Sequence, residues 1–526
     1  MTEQSTIPNH TLGGIARNHA HLRPDRVAAK FEGRTTTYSQ FDKHTNKVAH
    51  ALLASGVQKG HRVGFLAKNS DYYFEVLFGG AKMGAVTLPI GWRLAPAEIA
   101  HILEDGQVSL LFVGVEFGDL VKEAVKECGH PVHIIALEGA SNEGFVDWRD
   151  AQSTEDPDIE ISQSDTVLQL YTSGTTGRPK GVMLTNNNLL ELWSTSRDAG
   201  LEWNQWSDED VALVAMPIAH IGGTGWGIVG LLNGVGLVIV REFDPTTVLG
   251  LMEKERVTKL FLVPAALNFL IQTPGAQDVD FSRLKIIFYG ASPIPVDLLR
   301  QCMEVFGCGF CQQYGMTEAC GTIVYLPPED HDPQGNQRMR SAGLPMPGVE
   351  LKIIGGDGQS LAPNEVGEVV LRSPSIMRGY WNNDRATKET IDDDGWLRTG
   401  DAGYLDTDGY LYIHDRVKDM IISGAENIYP AEVESAMFGH PDIADVAIIG
   451  VPDDKWGEAV KAVVVLTPGA EANVDAILDF TRARIAAFKV PKSVDFLQEL
   501  PRNASGKVLK RTLREPYWAG KDRAVN

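Results

Sequence analysis

Short apolar runs alternate with segments of helical spacing from about residue 25 to residue 295. VSLLFVG (108–114), TVLQLYTS (166–173) and LKIIFYG (284–290) are examples of such runs. Nearly continuous apolar stretches between helices predict strands that are buried on both faces of parallel sheets. After about residue 341 the pattern changes: GYLDTDGYLYIHDR (403–416) predicts a hairpin, and a shorter mixed unit follows residue 416.

Composition narrows the class of protein. The chain has 526 residues, 43% of them hydrophobic and 22% charged, which is too long for one compact core. A net charge of -21 argues against a general nucleic-acid binder. Five cysteines, no apolar N-terminal stretch and no apolar run of membrane-spanning length predict a cytoplasmic protein without disulfides, signal peptide or integral membrane span.

The stretch YTSGTTGRPKGVMLT (171–185) combines three glycines, five hydroxyl residues and one lysine after an apolar strand. Backbone N–H groups, hydroxyls and a lysine ammonium together suit the oxygens of a phosphate. The stretch lacks the G-x-x-x-x-G-K-[ST] order of a Walker A loop, which excludes a P-loop enzyme. A plain surface loop is the alternative.

Four further segments accompany this loop in a fixed order, namely QQYGMTE (312–318), RTGD (398–401), DRVKDMIISGAENIYPAEVE (415–434) and PRNASGKVLKR (501–511). Together the five segments resemble the signatures of the adenylate-forming (AMP-binding) superfamily. Within it, the chain is most similar to bacterial fatty-acyl-CoA ligases and 4-coumarate-CoA-ligase-like acyl-CoA synthetases. The matches extend from about residue 166 to residue 511.

The resemblance implies a fold. Members of the superfamily have a large N-terminal α/β domain with two stacked, mostly parallel αβα sheets and a small β-barrel-like subdomain. A small, mobile α+β domain follows. In this chain we place the adenylation domain at residues 1–416 and the mobile lid domain at residues 417–526.

The resemblance also implies a two-step reaction. A carboxylic acid and ATP give an acyl-adenylate and pyrophosphate, and a thiol then displaces AMP. The implied cofactors and substrates are ATP, Mg²⁺, CoA and a small-molecule carboxylic acid, with a homodimer as a further expectation. The protein must screen the phosphate charge and align the reactants.

Matching positions carry the family's nucleotide-binding roles onto this sequence. The resemblance places Glu318 on Mg²⁺, Thr317 on the α-phosphate and Asp401 on the ribose hydroxyls, with Arg416 assisting there. Tyr314 is expected to stack on adenine. The remaining nucleotide-contacting positions are the phosphate-loop residues Thr172, Ser173, Gly174, Thr175, Thr176 and Lys180, and the adenine-side residues Gly290, Ala291, Ser292, Gln313 and Gly315. Taken singly, Tyr314 could be a core aromatic, Asp401 a turn residue and Glu318 a solvated acid.

Further roles that the resemblance implies concern the second domain and the thiol. Lys507 matches the lysine that bridges the carboxylate and the α-phosphate, and Lys418 matches the hinge. Gly424 lets the pantetheine arm pass close to the backbone, and Ala425 stands where many acyl-CoA synthetases have a second glycine. His220 matches a position beside the acyl carboxylate and the thiol tunnel, although a lone histidine beside an apolar run is more often structural.

The acid and the acceptor stay open at this point. No acidic residue lies within residues 216–226, which argues against an amino-acid substrate. Mostly small and apolar neighbours at residues 226–232 and 320–324 suit an aliphatic or an aromatic tail. The segments DRVKDMIISGAENIYPAEVE (415–434) and PDDKWGEAV (452–460) resemble those of bacterial fatty-acyl-CoA ligases, and this resemblance implies a fatty acid. Aryl, phenylpropenoid and steroid side-chain acids, or transfer to an acyl carrier protein, are the alternatives. GWGIVG (225–230) satisfies G-x-G-x-x-G but does not directly follow a predicted strand, so we assign no dinucleotide site to it. The C-x-x-C pattern of residues 308–311 lies in a predicted buried strand, where cysteine acts as a small hydrophobic residue, so we assign no metal site to it.

Overall fold

The computed structural model describes residues 10–138, 144–172, 179–416, 419–423, 426–453, 455–502 and 508–519. Helices and strands alternate along most of this part of the chain. The helices are α1 (Leu12–Leu22), α2 (Tyr38–Ala54), α3 (Asp71–Met83), α4 (Pro96–Asp105), α5 (Gly118–Glu127), α6 (Phe145–Asp150), α7 (Asn186–Asp198), α8 (Ile221–Leu232), α9 (Pro245–Lys254), α10 (Pro264–Gln272), α11 (Val296–Phe306), α12 (Asp384–Thr390), α13 (Pro430–Phe438), α14 (Val474–Arg482) and α15 (Lys510–Trp518).

The strands belong to four sheets. They are β1 (Val27–Phe31), β2 (Arg34–Thr37), β3 (Arg62–Leu66), β4 (Val86–Pro89), β5 (Leu110–Val113), β6 (His133–Ala136), β7 (Thr166–Thr172), β8 (Lys180–Thr185), β9 (Val211–Val214), β10 (Gly236–Ile239), β11 (Lys259–Leu262), β12 (Ile286–Gly290), β13 (Gly309–Met316), β14 (Gly321–Leu326), β15 (Leu344–Pro345), β16 (Glu350–Ile354), β17 (Gly367–Arg372), β18 (Gly379–Tyr380), β19 (Leu397–Leu405), β20 (Leu411–Arg416), β21 (Ile421–Ser423), β22 (Glu426–Ile428), β23 (Ile443–Asp453), β24 (Gly457–Leu466) and β25 (Ser493–Leu497).

Two large sheets form the first part of the molecule. The described strands of the first follow the order β15-β14-β13-β12-β11-β9-β10-β1-β2, parallel from β13 to β1 with antiparallel edges. The second follows the order β18-β8-β7-β4-β3-β5-β6 and is antiparallel only at β7, β8 and β18. Parallel strands joined through helices explain the nearly continuous apolar runs of the sequence.

Helix α3 lies between the two large sheets. It contacts β4 and β7 of one sheet and β1 of the other, and every residue of the helix is buried. Ser70 caps its first turn by accepting the Tyr72 N–H at 3.2 Å, and Gly84 ends it with a left-handed φ of 82°. A helix that is buried on all sides needs apolar residues all round, and the sequence DYYFEVLFGGAKM largely supplies them.

A third sheet is antiparallel and has the described order β16-β17-β19-β20. The smaller C-terminal unit contains β21 to β25, with α13, α14 and α15 packed around it. This arrangement confirms the predicted α/β architecture of a large N-terminal domain and a smaller C-terminal one. The boundary after residue 416 and the mobility of the second domain stay predictions. No helix in the described ranges is long and apolar enough to cross a membrane.

Candidate active site

Glu318 lies where the two large sheets meet. It occupies a single helical turn, Thr317–Ala319, which directly follows β13, and its side chain is buried. Its carboxylate oxygen Oε1 accepts a hydrogen bond from the Tyr380 hydroxyl at 2.9 Å. The Thr172 hydroxyl lies 3.4 Å from the same oxygen. A carboxylate surrounded by hydroxyl groups keeps lone pairs available for a cation.

The phosphate loop leaves and re-enters the seven-stranded sheet beside this carboxylate. Thr172 ends β7 and Lys180 begins β8, and the two residues are opposite each other in the antiparallel ladder. The Lys180 ammonium lies 4.5 Å from the centroid of the Tyr380 ring, which is within the range of a cation–π contact. The strands therefore hold both ends of the loop within reach of Glu318.

Tyr380 connects these groups and is absent from the sequence-based site. Its segment is held on both sides, because the Met377 N–H donates to the Glu318 carbonyl at 2.8 Å and the Trp381 N–H donates to the Gly181 carbonyl at 2.7 Å. Its hydroxyl reaches the predicted Mg²⁺ ligand, and its ring lies against the predicted phosphate-binding lysine. A tyrosine in the short stretch RGYW looks like a core aromatic in the sequence, so only the fold reveals its place.

Tyr314 and Asp401 join the nine-stranded sheet to the antiparallel sheet. The Tyr314 hydroxyl donates to Asp401 Oδ2 at 2.6 Å. Asp401 is buried, and its backbone N–H donates to the Thr399 hydroxyl at 3.0 Å. Arg416 is paired with Asp401 in the ladder between β19 and β20. The predicted adenine and ribose residues thus lie together, at a point that three elements fix.

The backbone near Tyr314 is closely packed. A Cβ atom on Gly290 would lie 2.0 Å from the Gln313 carbonyl oxygen. A Cβ atom on Gly315 would lie 1.5 Å from the Gly321 carbonyl oxygen. Ala291 has a left-handed φ of 67°, and it is exposed together with Ser292. The Gln313 amide Nε2 is buried without a hydrogen-bond partner in the described part of the chain. A left-handed alanine and an unpaired amide are typical of ligand-binding positions.

His220 stands at the N-terminus of α8, apart from the Glu318 group. Burial, with a smaller contribution from Arg93, lowers the pKa of its imidazole to about 4, so the ring is neutral at neutral pH. Its Nε2 is buried and has no hydrogen-bond partner among the described residues. A Cβ on Gly321 would lie 3.4 Å from the neighbouring Ile221 side chain, so this helix start lies beside the segment that follows Glu318.

Several predicted site residues fall outside the described ranges. They are Ser173, Gly174, Thr175, Thr176, Lys418, Gly424, Ala425 and Lys507. Their roles stay predictions.

The two motifs set aside in the sequence have ordinary places in the fold. Gly225, Gly227 and Gly230 lie inside α8, where a Cβ on Gly227 would lie 2.2 Å from the Phe74 ring, so helix packing explains them. Cys311 is buried in β13, and burial raises the pKa of the Cys308 thiol to about 12. No group of three or more His, Cys, Asp or Glu side chains suited to a metal lies in the described ranges.

Comparison with known proteins agrees with this geometry. Residues 16–381 match the AMP-binding enzyme family, and residues 432–507 match the AMP-binding enzyme C-terminal domain. The chain is 42% identical over 517 residues to a fatty acid–[acyl-carrier-protein] ligase of Streptomyces coeruleorubidus, covering 98% of each protein. It is 38% identical over 510 residues to a feruloyl-CoA synthase of an Amycolatopsis species, covering 97% of the chain and 99% of the relative.

The chain is also similar to a further ligase and to a solved structure. A long-chain-fatty-acid–CoA ligase of Mycobacterium tuberculosis is 35% identical over 514 residues, with 97% of the chain and 99% of the relative covered. The crystal structure of ATP-bound MatB from Rhodopseudomonas palustris superposes with a TM-score of 0.87 at 30% identity, covering 97% of this chain and 99% of that one. The chain belongs to the AMP-binding enzyme family of adenylate-forming proteins and is an AMP-forming ligase.

Proposed function

We propose that this ligase activates a fatty acid as its acyl-adenylate, releases pyrophosphate, and transfers the acyl group to the thiol of CoA with release of AMP. One observation carries the proposal. Glu318 contacts Tyr380 and Thr172, and Lys180 lies against Tyr380, which gathers a carboxylate, a hydroxyl and an ammonium at the two ends of the phosphate loop. The similarity to fatty-acid ligases supports the choice of acid.

The phosphates of ATP would bind at this group. Lys180 supplies a compact positive charge, and the Thr172 hydroxyl supplies a donor beside it. Glu318 suits Mg²⁺, which in nucleotide sites is bound through one or two carboxylates together with phosphates and water. When bound, Mg²⁺ would neutralise part of the phosphate charge. Tyr380 donates to Oε1 of Glu318, the same oxygen that Thr172 approaches, and so orients the carboxylate beside one end of the loop.

The nucleoside would bind at Tyr314 and Asp401. The Tyr314 hydroxyl donates to Asp401 Oδ2 at 2.6 Å, and the Asp401 carboxylate would accept from the ribose hydroxyls when the nucleoside binds. The unpaired Gln313 amide offers a further donor on the same strand. Thr317, one residue before Glu318, would donate to the α-phosphate.

The acyl group would bind beside the start of α8. Apolar or small groups surround this point, because a Cβ on Gly222 would lie 3.0 Å from the Phe261 ring and one on Gly321 would lie 3.4 Å from the Ile221 side chain. A neutral His220 adds no charge that would favour a second carboxylate. Lys507 would approach from the C-terminal domain and neutralise charge that develops between the carboxylate and the α-phosphate.

A carrier-protein thiol is the second candidate acceptor. The relative at 42% identity is named for transfer of a fatty acid to an acyl carrier protein. Ala425, which adds a methyl group where the predicted pantetheine path runs, is compatible with either acceptor. An aryl acid is the corresponding alternative for the substrate, because another relative is named a feruloyl-CoA synthase.

The role of Lys507 tests the proposal by separating the two half-reactions. Lys507→Ala should abolish acid-dependent pyrophosphate release while sparing transfer of a supplied acyl-adenylate to CoA. Lys122→Ala, which removes an exposed lysine paired with Asp119, should leave both steps unchanged. Unchanged pyrophosphate release by Lys507→Ala would contradict the assignment.

A further inference from the structure

A second cationic pocket lies at the opposite end of the strands that carry the phosphate loop. It has a volume of about 310 Å³, and Lys59, Arg62 and Arg378 line it together with a single acid, Asp165. Thr172 and Lys180 form the loop end of β7 and β8, whereas Thr166 at the start of β7 belongs to this pocket. The two sites therefore share strands but do not share residues.

The charges of this pocket are not balanced. Asp165 is paired with Lys59, whose ammonium lies 2.7 Å from the carboxylate. Arg62 and Arg378 form no ion pair with a carboxylate within the described part of the chain. Burial lowers the pKa of Arg62 to about 10, and repulsion from Arg378 adds to this, whereas Tyr171 and Asp105 oppose it. Two guanidinium groups that face one cavity repel each other, and an anion bound between them would relieve this repulsion.

The Arg62 side chain is held in place by neutral groups. Its Nε donates to Gln169 Oε1 at 3.1 Å, and one terminal nitrogen donates to the Gly60 carbonyl at 2.8 Å. Its carbon Cζ lies 3.3 Å from the centroid of the Trp381 ring. This leaves the other terminal nitrogen for a ligand, in a guanidinium that is already oriented.

The rest of the wall supplies a hydroxyl and apolar surface. The Thr166 hydroxyl is buried and has no hydrogen-bond partner among the described residues. Val86, Met183 and the Trp381 indole complete the wall. Two guanidinium groups without a carboxylate partner suit phosphate oxygens, and the apolar wall suits an organic substituent.

We propose that this pocket, formed by Arg62, Arg378 and Thr166, is an anion-binding site for a small phosphate monoester with an apolar substituent. It lies outside the proposed active site and does not depend on the proposed function. Arg62 contacts Gln169, which in turn donates to the Tyr171 hydroxyl at 3.1 Å, so a ligand here would contact the strand that leads into the phosphate loop.

Ligand-observed ³¹P NMR titrations of the full chain at low ionic strength test this inference. Phenyl phosphate is the main probe, and inorganic phosphate measures the contribution of charge alone. We expect Arg378→Glu to weaken phenyl phosphate binding at least about tenfold, because it replaces a charge-assisted contact by repulsion. Arg385→Glu makes the same change at an exposed arginine on α12 and should leave binding unchanged.

Lys180→Ala distinguishes the pocket from the predicted phosphate loop. Binding that survives Lys180→Ala and is lost in Arg378→Glu supports the pocket. Binding that is lost in Lys180→Ala and survives Arg378→Glu overturns the inference, as does the absence of binding to the wild-type chain. Equal affinity for inorganic phosphate and phenyl phosphate would overturn the assignment to a monoester. Arg378 is exposed and its side chain makes no ion pair in the described ranges, so its replacement should leave the fold intact.

Discussion

Removal of the Tyr380 hydroxyl isolates the contact that orients Glu318. Tyr380→Phe keeps the ring against Lys180 and deletes the 2.9 Å hydrogen bond to the carboxylate. A hydrogen bond to a charged group contributes about 1.5–3 kcal/mol, and both partners are buried here. At the lower end of that range we expect kcat/KM for ATP in the adenylation step to fall about tenfold.

The assay is carboxylate-dependent ATP–pyrophosphate exchange, measured at increasing concentrations of MgCl₂. A less well oriented Glu318 should raise the Mg²⁺ concentration needed for half-maximal exchange, which a purely structural role for Tyr380 would not do. Tyr380→Leu also removes the ring from Lys180, and loss of a cation–π contact of about 0.5–1 kcal/mol predicts a further two- to fivefold fall.

Tyr404→Phe is the matched control. Tyr404 is stacked on Tyr412, and its hydroxyl makes no hydrogen bond in the described part of the chain. Its variant should retain wild-type exchange and Mg²⁺ dependence. If Tyr380→Phe also stays within about twofold of wild type in both quantities while Lys180→Ala is impaired, the orienting role of Tyr380 is refuted.

Three further predictions concern other parts of the site. Asp401→Asn should lower kcat/KM for ATP about 100-fold in the exchange assay, because it weakens the two expected hydrogen bonds to the ribose hydroxyls, each of about 1.5–3 kcal/mol. Asp408→Asn, at an exposed turn, should leave kcat/KM unchanged. Gly315→Ala should lower the free energy of unfolding in urea by about 1–3 kcal/mol or more, because the added Cβ would overlap the Gly321 carbonyl. Gly356→Ala, which has open space around the added Cβ, should leave that free energy unchanged. The pKa of His220 is about 4 in the folded chain against 6.5 as the ordinary value, so the unfolded chain binds the proton first and stability falls as pH falls from 6.5 towards 4. His220→Gln should therefore reduce the loss of unfolding free energy between pH 7 and pH 5 by about 2 kcal/mol, and an unchanged pH dependence would contradict the neutral, buried imidazole.

The architecture could be predicted from the sequence because strands and motifs have local signals. The apolar runs at residues 166–173 and 284–290 became β7 and β12, and the Asp-Gly turn near residue 409 joins β19 to β20. The glycines of residues 225–230 lie within α8, which begins at residue 221, before the motif.

The contacts that assemble the site could not be predicted in the same way. Glu318 and Thr172 are 146 positions apart, and Tyr314 and Asp401 are 87 apart, so each pair depends on how separate sheets pack. Tyr380 carries no local signal, since its role comes from hydrogen bonds of Met377 and Trp381 to two different segments. The unpaired Arg62 and Arg378 are likewise ordinary surface cations in the sequence and become neighbours only in the fold.

The most direct test of the central claim is the release of pyrophosphate and AMP from ATP and Mg²⁺ over a panel of carboxylic acids, with CoA, with a phosphopantetheinylated carrier protein, and with neither. The account predicts that fatty acids give pyrophosphate and bound acyl-adenylate without a thiol, and that added CoA releases AMP and acyl-CoA. AMP release with the carrier protein alone would assign the second acceptor. Pyrophosphate release that is independent of any carboxylic acid, or none with any member of the panel, would contradict the claim that this site forms acyl-adenylates.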